Sequence, residues 1–137
     1  MCPLETADYA RLAAFRASLR EFLRFSEEAA ARVGLTAQHY QAMLVLRATP
    51  DGIPVTINDL ARQLLIKHNS AVGLVDRLAA ERLVVRQPSA SDRRKVELRL
   101  SPRGRQVLGR LAGVHRAELE RIGPALQQLL LEVRKRG

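Results

Sequence analysis

Two short stretches of the 137-residue chain concentrate side chains able to make directional polar contacts. The first, His68-Asn69-Ser70, opens a run that reads as helix; the second, Asp92-Arg93-Arg94-Lys95, sets three consecutive cations behind the turn-forming Pro88-Ser89-Ala90-Ser91. Short donors and acceptors such as Asn, Ser and His pair with base edges, whereas guanidinium and ammonium groups on a turn suit phosphates or a narrow, negative groove. Bond-making chemistry finds less support. His39 and His115 are the available general bases, yet neither has a carboxylate or nucleophile at any local spacing. No GxxxxGK[ST] or GxGxxG run occurs, and the three histidines, His39, His68 and His115, lack second ligands at metal-site spacing. Cys2 is the sole cysteine, so no intrachain disulfide can form, and no adjacent cation activates its thiol. No enzymatic activity, cofactor or metal is expected.

The charge balance points the same way. Twenty-three Lys and Arg against 14 Asp and Glu leave the chain at +9 at pH 7, which selects a polyanionic partner. The excess is uneven. Residues 1–55 hold six Arg and six acids, residues 56–105 eleven cations and five acids, and residues 106–137 six cations and three acids. Residues 56–105 contain no Phe, Tyr or Trp, and all five aromatic residues precede residue 41. Readers of single strands stack bases on aromatic platforms, so a duplex fits this segment better. The sequence has no apolar run near the ~20 residues that span a bilayer and no basic-then-apolar leader. A cytosolic chain without a membrane partner is expected.

Elements must hold these groups in place, and the apolar spacing outlines them. From 8 to 33, Leu12, Phe15, Leu19 and Phe22 recur at alternating intervals of three and four, a stripe on a helix about 39 Å long at 1.5 Å per residue. Gly34 ends it. A helix this long exceeds what a small domain can cover, so part of its stripe is expected to pack on a second copy of the chain. Thr36 opens a second helix with Tyr40, Met43, Leu44 and Leu46 towards the core, up to Ala48. After the Pro50, Gly52, Pro54 loop, Thr56-Ile57-Asn58-Asp59 forms a capping box for a short helix, and a turn at Leu65-Ile66-Lys67 leads into a helix from His68 to Arg82. Ala71, Leu74, Val75 and Leu78 line one side of that helix, and Asn69, Val72, Gly73, Asp76 and Ala80 the other. Such short side chains let a helix lie against a groove floor. A strand at 83–87 and the period-two Val96, Leu98, Leu100 make a hairpin; Ser101-Pro102 restarts helix. Gly123-Pro124 is expected to break or kink it before a last helix carrying Leu126, Leu129, Leu130 and Val133.

This order of parts resembles the MarR family of winged-helix transcriptional regulators. The resemblance is carried by Gly34-Leu35-Thr36 with Gln38, Thr56-Ile57-Asn58-Asp59-Leu60-Ala61, Ser70 with Leu74-Val75-Asp76-Arg77-Leu78, Leu83-Val84 with Arg86, Asp92-Arg93-Arg94, Leu98-Arg99-Leu100-Ser101 and Gly104. It implies a mainly α fold with a small β-hairpin wing, in which a winged helix-turn-helix lobe at 36–104 is flanked by dimerisation helices at 8–33 and 105–137. It further implies an obligate homodimer whose helix from His68 enters the major groove of double-stranded DNA. The wing would set Arg94 in the flanking minor groove with Asp92 orienting its guanidinium, while Arg93 and Lys95 meet phosphates.

The expected DNA-contacting set is Lys67, His68, Asn69, Ser70, Val72, Gly73, Arg77, Arg86, Asp92, Arg93, Arg94 and Lys95, with Arg62, Arg77 and Arg86 alternatively paired to Asp59, Asp76 or Glu81. The resemblance also implies a small aromatic or phenolic effector, for which His39, Tyr40 and Met43 are the candidates. The protein is read as a ligand-responsive repressor on a pseudo-palindromic operator. The alternative is a helical interaction module whose basic hairpin binds an acidic protein or a membrane surface without sequence preference.

Overall fold

The computed structural model describes residues 2–135, so the last two residues of the expected 105–137 helical region lie outside it. Five helices and one hairpin follow in the order α1 (Thr6–Ala31), α2 (Ala37–Ala48), α3 (Ile57–Leu64), α4 (His68–Ala80), β1 (Val84–Pro88), β2 (Val96–Leu100) and α5 (Pro102–Arg134). Four of the five helix starts have a local cause in a side-chain cap or capping box. The Glu5 N–H donates to Asp8 Oδ2 at 2.8 Å, which begins α1 two residues earlier than its apolar stripe suggests. Thr36 caps α2, Thr56 caps α3 in the expected box, and Ser101 Oγ accepts the Gly104 N–H at 2.9 Å with Pro102 in the first turn of α5. Gly34, at φ 77°, lets the chain leave α1 while the Leu35 N–H returns to the Ala30 carbonyl at 3.0 Å.

Beyond α1, which spans Thr6–Ala31 rather than 8–33, three boundaries differ from the sequence reading. α4 ends at Ala80, because Arg82 takes a left-handed conformation at φ 60° that no helix continues through. The strand β1 consequently starts at Val84 and takes in Pro88, paired with β2 in antiparallel register from Val84 opposite Leu100 to Pro88 opposite Val96. The expected interruption at Gly123-Pro124 is absent, and α5 runs unbroken for 33 residues. Proline removes one backbone donor; the surrounding turns carry the helix across it.

The core lies among α2, α3, α4, the hairpin and the first half of α5. Met43, Leu60, Val75 and Leu78 are its fully enclosed side chains, and Val84, Leu98, Leu108 and Leu111 close it from the hairpin and α5. Gly104 is obligatory at one seam, where a Cβ would stand 2.0 Å from the Leu83 carbonyl oxygen. A second centre, where α1 packs on α5 and α2, is polar. The His115 Nδ1–H donates to the Leu111 carbonyl at 2.7 Å, and its Nε2 is hydrogen-bonded to Ser26 Oγ at 2.8 Å. Tyr40 stacks on this imidazole with 4.0 Å between ring centroids, and Phe22 and Phe25 meet it edge-on. Outside these centres much of the long-helix stripe is bare: Leu12, Leu19 and Leu23 on α1 and Val114, Leu119 and Leu130 on α5 are exposed, as is Leu44, which was expected inside. No helix among the described residues is long and apolar enough to cross a membrane.

Candidate nucleic-acid interface

The tight turn between α3 and α4 is built on Leu65, held at φ 57° and 91% exposed, with the Ile66 N–H returning to the Ala61 carbonyl at 3.0 Å. This turn and the buried Ala71, Leu74, Val75 and Leu78 fix which side of α4 faces out. His68, Asn69, Ser70, Gly73 and Asp76 are exposed and Val72 half-buried, so the short-chained side is solvent-facing along its whole length. Lys67 is the exposed residue preceding the helix and makes no side-chain cap. His68 is not free at its tip: its Nδ1–H donates to Asn58 Oδ1 at 2.7 Å, joining the first turns of α4 and α3.

The hairpin tip is ordered from within. The Ser89 N–H donates to the Lys95 carbonyl at 2.9 Å, and the buried Ser89 hydroxyl accepts from the Ser91 and Asp92 N–H groups, each at 3.3 Å. Asp92 acts on main chain: its Oδ1 accepts the Arg94 N–H at 3.0 Å, and no bond from this carboxylate to the Arg94 guanidinium is present among the described residues. An Asx-type bond of this kind stabilises the bend itself. Arg93, Arg94 and Lys95 are exposed, and their charged ends make no hydrogen bond or ion pair among the described residues.

α3, α4 and the hairpin converge on a notch of about 440 Å3 lined by Thr56, Asn58, Asp59, Arg62, His68, Arg94 and Lys95 among others. Two main-chain ties close the back of it: the Leu98 N–H donates to the Val55 carbonyl at 2.8 Å, and Thr56 bridges to Glu97. Within the notch, the Thr56 N–H donated to Asp59 at 3.0 Å holds that carboxyl below its ordinary range, helped by the Thr56 hydroxyl and the nearby Arg62 and Lys95 charges. Arg62 bonds Asp59 Oδ1 at 2.5 Å.

Other expected contacts are engaged inside the protein. Arg77 reaches the Gly34 carbonyl at 3.1 Å and Glu81 at 3.4 Å, while Arg86 pairs with Asp76 across from β1 to α4. The proposed effector position is packed rather than open: Met43 has no exposed surface, Tyr40 is stacked on His115, and the His39 Nδ1 accepts the Thr36 N–H at 3.0 Å. Burial, with the Arg77 charge second, pushes the His39 pKa down, partly offset by Glu27. Asn58 escaped the sequence reading because ten residues separate it from His68 and only the turn between α3 and α4 brings them together. Among the described residues no group of three or more His, Cys, Asp or Glu could hold a metal ion.

Comparison with known proteins agrees with this geometry. Residues 33–95, from the end of α1 to the hairpin tip, match the MarR family model. The wider MarR-type architecture extends over most of the chain. The chain is similar to AbsC, a MarR family transcriptional regulator from Streptomyces coelicolor, at a TM-score of 0.75 with 21% identity, covering 88% of this chain and 81% of that one. MepR, the regulator of the Staphylococcus aureus multidrug efflux pump MepA, superposes at TM-score 0.73 with 17% identity over 88% of this chain and 96% of its own. The transcriptional repressor CouR, bound to a 23-mer DNA duplex, is 29% identical at TM-score 0.72, covering 96% of this chain and 95% of that one. Among curated protein sequences, no match is found.

Proposed function

We propose that this protein is a sequence-specific regulator of transcription that binds double-stranded DNA as a homodimer and represses from a pseudo-palindromic operator. The observation that carries the reading is the pairing of a solvent-facing, short-chained side of α4 with a hairpin tip whose three cations are unengaged. Laid in the major groove, α4 would offer Asn69 and Ser70 to base edges and Val72 to a thymine methyl, with Gly73 allowing close approach. Lys67 at the helix start, and Arg93 and Lys95 at the tip, would meet phosphates, leaving Arg94 to enter the adjoining minor groove. Arg77 and Arg86 serve orientation in this reading, since each already bonds within the lobe.

The bare apolar stripe of α1 and α5 supports the dimer, because Leu12, Leu19, Val114 and Leu130 need cover that one chain does not supply. Two recognition helices related by a two-fold axis would address half-sites whose centres lie about 34 to 36 Å apart, or a multiple of that distance. That DNA-bound CouR shares this architecture adds weight to the duplex reading.

Selection from random genomic fragments by the purified protein, followed by competition binding on the enriched duplex, tests the proposal. A two-fold-symmetric site that resists excess random DNA is the expected result. Equal displacement by random duplex or by an acidic polypeptide would overturn it.

A further inference from the structure

On the side of the hairpin away from α4 lies an open cleft of about 520 Å3, walled by the α2–α3 loop, both strands and the first turn of α5. None of the residues assigned to DNA contact lines it. Three guanidinium-bearing residues do: Arg47 from the last turn of α2, Arg99 from β2 and Arg105 from the start of α5. The side chains of Arg47 and Arg105 make no hydrogen bond or ion pair among the described residues. Arg99 donates to Gln87 Oε1 at 2.5 Å through one Nη, which orients the fork and leaves its other donors. Asp51 is the one carboxylate on the wall, so the lining carries two net positive charges, and the positive end of the α5 dipole adds to them. Beside the cations stand Val85 and Ile53, the latter left 58% exposed.

We propose that this cleft is a binding site for a small dianionic phosphate monoester with a compact apolar body. Planar guanidinium forks match phosphate oxygens, two negative charges balance the lining, and an apolar group of modest size covers Ile53 and Val85. The cleft lies in the size range of small-molecule sites. Its walls are the segments joined by the Leu98-to-Val55 bond, so an occupant spans the loop entering α3 and the base of the wing. The proposal goes beyond DNA binding and stands apart from it.

Titration calorimetry of the DNA-free full chain with phenyl phosphate tests it. The expected result is one site per chain, weakened about tenfold or more by Arg47→Gln and by Arg105→Gln with unchanged melting temperature, since neither side chain has a partner to lose. Ile53→Ser weakens the ester and leaves inorganic phosphate as before, and inorganic phosphate binds the native chain more weakly than the ester. Absence of binding up to about 10 mM ester overturns the proposal. So does equal affinity for inorganic phosphate, which marks an adventitious ion only, or indifference to both arginine substitutions. Loss of duplex affinity in those variants without ester binding assigns the arginines to the DNA backbone instead. No DNA enters the titration, so failure of the operator reading leaves its outcome legible.

Discussion

The imidazole of His68 and the side-chain amide of Asn58 are hydrogen-bonded at 2.7 Å, Nδ1–H to Oδ1, across the turn that separates the two short helices. With Nδ1 committed to Asn58, Nε2 is the ring nitrogen left to face a base edge, and the bond fixes the orientation in which it does so. Asn58→Ala is expected to leave stability within about 0.5 kcal/mol, as for other exposed sites, while lowering discrimination at one base position by about 1 kcal/mol or more. Anisotropy titrations against duplexes varied at single positions check this. Unaltered preference at every position would show that the bond serves the protein alone.

Arg94 and Arg77 should separate cleanly. Arg94 is unengaged at the tip, so Arg94→Ala is expected to cost about 1 to 3 kcal/mol of duplex affinity and to flatten preference at a flanking position. Arg77 bonds Gly34 and Glu81, so Arg77→Ala is expected to lower folding stability more than it changes base preference. Binding of the native protein should weaken with salt at a logarithmic slope of about 0.9 per phosphate neutralised. The reverse ranking of the two variants would contradict the assignment.

Two glycine exchanges test the backbone in opposite senses. Gly104→Ala sets a methyl 2.0 Å from the Leu83 carbonyl oxygen, a backbone atom that cannot swing aside, and is expected to destabilise by about 2 kcal/mol or more. Leu65→Gly relieves a left-handed residue that is already 91% exposed, and a net gain of up to about 1 kcal/mol is expected after the glycine's own entropy loss. Urea unfolding reads both, and equal midpoints for the Gly104 variant and the native chain would exclude the close seam.

The folded state depresses the His39 pKa, so the unfolded chain binds the proton more readily. Stability contributed by the neutral ring is therefore complete above the ordinary value of 6.5 and declines as pH falls from there towards the lower folded value. His39→Gln keeps an acceptor for the Thr36 N–H and removes the titration. Unfolding midpoints between about pH 8 and pH 5 should slope less in this variant than in the native chain. Parallel profiles would remove His39 from the acid response.

Much of this architecture was legible because it rests on local chemistry. The Thr36, Thr56 and Ser101 caps, the Gly34 exit and the three-and-four spacing of α4 are each decided within a few residues, and each appears where the sequence put it. The same holds for the exposed side of α4 and the cationic tip. What stayed hidden depends on distance along the chain. Nothing local tells Asn58 from any other first-turn asparagine, and Arg47, Arg99 and Arg105 share no spacing at all. His115 was weighed as a base, but its two nitrogens are spent on Leu111 and on Ser26, 89 residues away. Pro124 misled in the other direction, since a proline's local cost did not decide the course of a helix 33 residues long.

That unbroken α5 has a mechanical consequence. At 1.5 Å per residue it is a rod about 50 Å long, anchored at one end by the Gly104 seam to the hairpin and passing at the other through the bare apolar region. A tilt of about 5° at the far end displaces the near end by about 4 Å, more than the 3.4 Å rise of one base pair. Should the protein bind duplex DNA as proposed, a lever of this length would turn a small repacking around the exposed Leu119 and Leu130 into a full step of register.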